Sequence, residues 1–260
     1  MDLDLKSKVA IVTGGSDGIG LASARRLSRE GVSVTICARS EDKLQRAADE
    51  IRRETENAVL AVRADVRSEA DVHTVVDATL GQFGGIDILF NNAGSSHAHA
   101  FLDVSDDIWH EDLDVKLFGA VRFCRAVIPH LRKRGGGRII NVTTGGGKAP
   151  VAKALPTSVS RAAGINFSKS LAHEYAVDGI LVNSICVGLV KSAFWEERYR
   201  AQAPGVSLDA WYHSIGDSVP IGRLGDPEEV ADLVAFLASP RAAFITGASI
   251  NIDGGASPAT

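Results

Sequence analysis

The stretch "KVAIVTGGSDGIGLASARRLSREG", residues 8–31, decides the fold. Its opening run, "KVAIVTG" at 8–14, is apolar and β-branched, as expected of a strand buried on both faces. Glycines follow at 14, 15, 18 and 20. They permit a tight turn and let the backbone approach a phosphate closely. A helical pattern then runs to Gly31, and a helix starting near Gly18 would aim its first N–H groups at an anion. The spacing departs from GxGxxG, so the turn taken alone fits either a merely tight corner or a dinucleotide site.

The rest of the chain decides between them. Further buried-strand runs fall at 32–38, 58–64, 86–92, 137–143, 180–186 and 249–253, separated by helix-length stretches. The segment "DPEEVADLVAFLAS" opens on a capping Asp226 with Pro227 at the first helical position. Strict alternation of strand and helix predicts a doubly wound α/β Rossmann-type fold with a parallel sheet. No linker or repeat divides residues 1–260, so a single domain is expected. In that setting the glycine turn reads as a dinucleotide site. One long irregular stretch, near 194–220, is read as a substrate loop or lid.

Composition narrows the function. The chain has 260 residues and a net charge of −4, which gives no reason to expect nucleic acid or a membrane as partner. Cys37, Cys124 and Cys186 show no CxxC spacing and read as reduced, buried residues, with no metal site implied. No apolar run approaches about 18 residues, and the N-terminus does not read as a signal peptide, so a cytoplasmic location is expected.

The chain resembles the short-chain dehydrogenase/reductase family along essentially its whole length. The motifs are TGxxxGIG at 13–20, "ADV" at 64–66, "NNAG" at 91–94, "GRIINV" at 137–142, "VNSICVGLVKS" at 182–192 and "PIGRLGDPEEVADLVAFLAS…ITGASINIDGG" at 220–255. The resemblance implies strand order 3-2-1-4-5-6-7 with a nicotinamide nucleotide across the carboxyl ends of the strands. It assigns cofactor contacts to Gly14, Ser16, Asp17, Gly18, Ile19 and Gly20 in the first turn, to Asp65 and Val66, to Asn92, Ala93 and Gly94, and to Gly188 and Val190. Asn91 reads instead as a brace within the sheet. Arg39 and Ser40 close the second strand where an acid would select NAD, which leans towards NADP over NAD. Asp17 pulls the other way, standing where many NADP-using relatives carry a basic residue.

The family's catalytic positions hold other residues here. Thr157 falls at the tyrosine, Arg161 at the lysine, Thr144 at the serine and Lys116 at the asparagine. Pro156 reads as the first helical residue, with Thr157 and Arg161 one turn apart on one face. Thr144 keeps a donor hydroxyl. Arg161 keeps a permanent charge able to grip a ribose, but does not release a proton. An aliphatic hydroxyl at 157 is no proton donor at neutral pH, whereas a phenol near pKa ~10 can be tuned into range.

Lys116 is the best internal candidate for the missing acid, against the plain reading of a snorkelling helix lysine. His97 and His99 lie near the expected rim, Lys148 and Lys153 in a following loop, and Tyr199 and Tyr212 in the irregular stretch. Cys186 reads as core. The expected function is an NAD(P)(H)-dependent oxidoreductase acting on an unknown small molecule with a non-standard proton donor. A non-redox cyclase, dehydratase or isomerase, or an inactive nucleotide-binding subunit, are the alternatives. Similar proteins pair two long helices across an interface, implying a homotetramer or homodimer.

Overall fold

The computed structural model describes residues 2–95, 98–203 and 205–259. Its strands are β1 (Val9–Thr13), β2 (Ser33–Ala38), β3 (Val59–Arg63), β4 (Ile88–Asn91), β5 (Gly137–Thr144), β6 (Ile180–Val187) and β7 (Ser249–Ile252). They form one parallel sheet in the order β3-β2-β1-β4-β5-β6-β7. The direction of progression reverses between β1 and β4, where doubly wound sheets open a crevice at their carboxyl ends.

The alternation of side chains along β1 explains why both faces are covered. Ala10 and Val12 join one apolar layer with Leu27 of α1 (Gly18–Arg29), Leu44 and Ile51 of α2 (Glu41–Thr55), and Val234 of α9 (Pro227–Ala238). Ile11 faces the opposite layer with Val72 and Val75 of α3 (Glu69–Phe83) and with Phe123 and Val127 of α5 (Gly119–Lys133). Ala172 of α6 (Thr157–Tyr175) joins the same layer. Burying a side chain such as Leu27 contributes about 1.5–3 kcal/mol, so each layer fixes its helices firmly. Cys37, Cys124 and Cys186 are free and buried within this frame.

Local signals place the helix starts. Asp226 and Glu229 form a capping box at α9, with Pro227 in its first turn. Helix α6 begins at Thr157, so Pro156 is the residue before the helix and not its first member. A short antiparallel ribbon pairs Ala98 with Pro156 and His99 with Leu155, binding the segment after β4 to the start of α6.

Residues 194–220 differ from the irregular loop expected of them. They carry most of α7 (Ala193–Gln202) and all of α8 (Leu208–Gly216). Helix α7 buries none of its residues, so it lacks the apolar stripe by which a helix is read from sequence. The pair is joined through rings: Trp211 lies 6.0 Å from Trp195 and 5.7 Å from Tyr199, centroid to centroid.

Candidate active site

The glycine turn is built by close backbone approach. A Cβ on Gly20 would sit 2.1 Å from the Gly14 carbonyl oxygen, and one on Gly14 would sit 2.9 Å from Asn92 Nδ2. Asn92 in turn donates to the carbonyls of Thr13 (3.0 Å) and Gly14 (3.3 Å), and so braces the turn from the end of β4. Asp17 caps α1, its carboxylate accepting from Gly18 N at 2.7 Å. One level below, Asn91 donates to Asn141 Oδ1 at 2.8 Å and links β4 to β5 inside the sheet.

A cleft of about 600 Å³ opens over the carboxyl ends of β2, β1 and β4. Gly14, Ser16, Asp17, Arg39, Ser40, Asp65, Val66, Ala93, Gly94 and Lys116 all line it. Lys43 and Asp112 line it as well, and neither was anticipated from the sequence. Gly18, Ile19, Gly20 and Asn92 stand outside the lining, Gly20 and Asn92 packed against the turn and Ile19 against the core. Gly188 and Val190 lie elsewhere: a Cβ on Gly188 would meet Asp253 Cα at 2.6 Å, and Val190 is buried in the core. Asp65 is held below its usual carboxylate range by Arg67, whose Nη2 lies 2.6 Å from its Oδ2.

At the inner end, helix α4 (Asp106–Leu113) passes through a π-helical turn (Asp114–Phe118) into α5. Such turns inside a helix often mark functional sites. This one carries Lys116, whose side chain is 1% exposed. Lys116 Nζ forms an ion pair with Asp112 and donates to Thr157 Oγ1 at 2.7 Å. The Thr157 hydroxyl donates to Asp112 Oδ1 at 3.4 Å, and Ser160 Oγ donates to Asp112 Oδ2 at 2.6 Å. Burial and the neighbouring Arg161 guanidinium push the Lys116 ammonium down to about 8, against the pull of Asp112.

Arg161 shares the face of α6 with Thr157, but its Nη1 donates to the Val142 carbonyl at 2.6 Å, under the end of β5. Burial pushes its guanidinium down to about 10, so it stays charged at neutral pH. Gly94 and Gly147 wall it in: Cβ atoms there would stand 3.1 Å from Arg161 Nη2 and 2.9 Å from the Arg161 carbonyl carbon. Thr144 ends β5, half-buried, opposite Val187 of β6.

The remaining candidates are dispersed. His99 is exposed on the ribbon, and His97 lies outside the described residues. Lys148 donates to the Ser249 carbonyl at 2.7 Å and Lys153 is exposed. Tyr199 donates to the Val206 carbonyl at 2.6 Å, and Tyr212 lies beside the Lys191 ammonium. Cys186 is buried against Thr143 Oγ1 at 3.1 Å.

The sheet order, the glycine turn and the cleft together define a Rossmann-type doubly wound α/β fold. A family model described as enoyl-(acyl carrier protein) reductase matches residues 14–257. Dehydrogenase/reductase SDR family member 4 of Oryctolagus cuniculus is 35% identical, the match covering 97% of this chain and 94% of that protein. The structure of L-sorbose reductase from Gluconobacter frateurii complexed with NADPH and L-sorbose superposes with a TM-score of 0.96 at 35% identity, over 100% of both chains. An NADPH-bound short-chain oxidoreductase from Pseudomonas aeruginosa, described as containing an atypical catalytic center, superposes with a TM-score of 0.93. It is 35% identical, over 98% of this chain and 99% of that one. The chain belongs to the short-chain dehydrogenase/reductase family.

Proposed function

We propose that this chain is an NADP(H)-dependent oxidoreductase of a small-molecule substrate, with Lys116 supplying the proton through the Thr157 hydroxyl. The observation that carries the reading is the 2.7 Å hydrogen bond from Lys116 Nζ to Thr157 Oγ1 at the inner end of the cleft. The cleft fits a phosphorylated dinucleotide: the close-packed glycine turn leaves backbone room, and Arg39, Ser40 and Lys43 gather at the β2 end for a 2′-phosphate. The NADPH-bound relatives support the same cofactor. When bound, the nicotinamide supplies the hydrogen and electron pair that reduce the acceptor.

The chain's own residues supply the proton. A substrate oxygen gaining electron density takes the proton of Thr157 Oγ1. That oxygen recovers one from Lys116 Nζ, and the neutral amine is reprotonated from solvent. Thr157 thus relays a proton that it is too weak an acid to release unaided. Arg161 adds a fixed positive charge beside the site and gives up no proton. The Thr144 hydroxyl orients the substrate oxygen. Helices α7 and α8 form the lid over this end.

The chain works in the cytoplasm as a homotetramer or homodimer. Phe118 and Val159, 49% and 46% exposed beside the starts of α5 and α6, support such a contact. Among the described residues no helix is long and apolar enough to cross a membrane.

The test is NADPH and NADH binding by calorimetry, followed by turnover on carbonyl, enone and imine panels for the wild type and Lys116→Met. The reading expects NADPH binding, reduction of one class, and a ~10²–10⁴-fold loss in the variant. Undiminished turnover in Lys116→Met would overturn the proton assignment.

A further inference from the structure

We infer that Asp112 is the positioning residue of the proton donor: its carboxylate fixes the Lys116 ammonium against Thr157, and Ser160 fixes the carboxylate. This rests on the reading of Lys116 as proton source. A lysine side chain is a flexible four-carbon stem with many rotamers, and nothing in the stem itself directs its tip. Here the tip has a defined seat. The Asp112 and Lys116 side chains are 0% and 1% exposed, so their charges face each other with little water between them.

Both carboxylate oxygens are engaged. Oδ1 accepts from Lys116 and, at 3.4 Å, from Thr157; Oδ2 accepts from Ser160 at 2.6 Å. A carboxylate receiving several donors is favoured in its ionised form. Ser160 itself is anchored by its place on α6, one turn after Thr157. The carboxylate therefore ties the π-helical turn to the start of α6, and the lysine follows. An exposed ion pair with the same i,i+4 spacing is weak, screened by water, and would position nothing.

The electrostatics agree with this arrangement. Among the described residues, the charged groups facing Lys116 are Asp112 from α4 and Arg161 from α6; the segment at Gly94 brings no charge. Arg161 and burial disfavour the ammonium, and Asp112 alone opposes them. Without the carboxylate, Lys116 would lose its proton at lower pH and could not serve as an acid near neutrality.

The experiment measures the Lys116 titration midpoint directly, by competitive acetic anhydride labelling of the cofactor-free protein with mass-spectrometric readout, beside the pH profile of turnover. Asp112→Asn keeps the shape and removes the charge, and should lower the midpoint by about one pH unit or more, leaving roughly tenfold less ammonium above it. Ser160→Ala removes a hydrogen bond to Asp112 and one to the Thr157 carbonyl, and leaves Lys116 itself untouched. It frees the carboxylate from its anchor on α6, and so should lower the midpoint, by less than Asp112→Asn. An unchanged midpoint in Asp112→Asn overturns the inference. Should that variant not fold, Ser160→Ala decides alone, and an unchanged or raised midpoint overturns it. If the midpoints move as stated while Lys116→Met keeps full turnover, the hold of Asp112 on Lys116 stands and the proton-source reading fails.

Discussion

Lys116 Nζ lies 2.7 Å from Thr157 Oγ1, joining two residues 41 positions apart in the chain. With the Lys116 midpoint near 8, reduction should fall as pH rises through about 8, because the ammonium is the acid; oxidation should rise over the same range. The folding consequence has the same origin. The folded midpoint lies below the ordinary 10.5, so the unfolded chain binds more protons between about 8 and 10.5. Stability should climb with pH in that window, with the full burial cost present below it. Urea unfolding at several pH values, set beside Lys116→Met, checks the slope.

Arg39 borders the cleft beside Ser40 and Lys43. Arg39→Asp should invert the preference from NADPH to NADH, since an acid repels a 2′-phosphate and accepts from ribose hydroxyls. Calorimetry giving the same affinity ratio before and after the substitution would contradict this.

Asp17 places a carboxylate at the N-terminus of α1, where the phosphates of a dinucleotide would lie. Asp17→Asn retains an oxygen able to cap Gly18 N and removes the repelling charge. Charges at helix ends are worth about 0.3–1 kcal/mol, so NADPH should bind roughly two- to fivefold tighter. Weaker or unaltered binding would show that Asp17 does not face the phosphates.

Thr157→Tyr with Arg161→Lys should create reduction of simple ketones, and adding Lys116→Asn should improve it. The tyrosine needs the space beside Lys116, and a lysine at 161 regains a compact charge that the guanidinium, held on the Val142 carbonyl, does not offer. Thr157→Tyr alone should do little. Steady-state rates on an undemanding ketone decide it, since acid catalysis is worth ~10²–10⁴-fold. A wild type as fast as the triple variant would refute the scheme.

Assembly is checked by light scattering at micromolar concentration, where a dimer or tetramer mass is expected. Charging the α6 face with Val159→Glu should shift the mass towards monomer, because Val159 is 46% exposed in the isolated chain. A monomeric wild type would exclude the contact.

Much of this was legible in the residues alone. The alternation of β-branched runs with helical stretches foretold all seven strands of the sheet, because a strand covered on both faces must be apolar throughout, and the family resemblance supplied their order. The glycine turn and the start of α9 were legible for a similar reason: each depends on a few adjacent residues whose local geometry admits little choice.

Tertiary structure decided the rest. "EDLDVK" at 111–116 offers an acid and a base one helical turn apart, a pattern that usually lies in solvent. Only the packing of α4 and its π-helical turn against α6 buries Asp112 with Lys116 and brings Ser160 and Thr157 to them. The hold of Val142 on Arg161 and the joining of α7 to α8 through aromatic rings have the same character. Sequence by itself determines what each segment can form, through propensity, pattern and turn chemistry. Which distant polar groups share one dry space depends on how the finished layers pack, and the burial that gives those groups their strength exists only there.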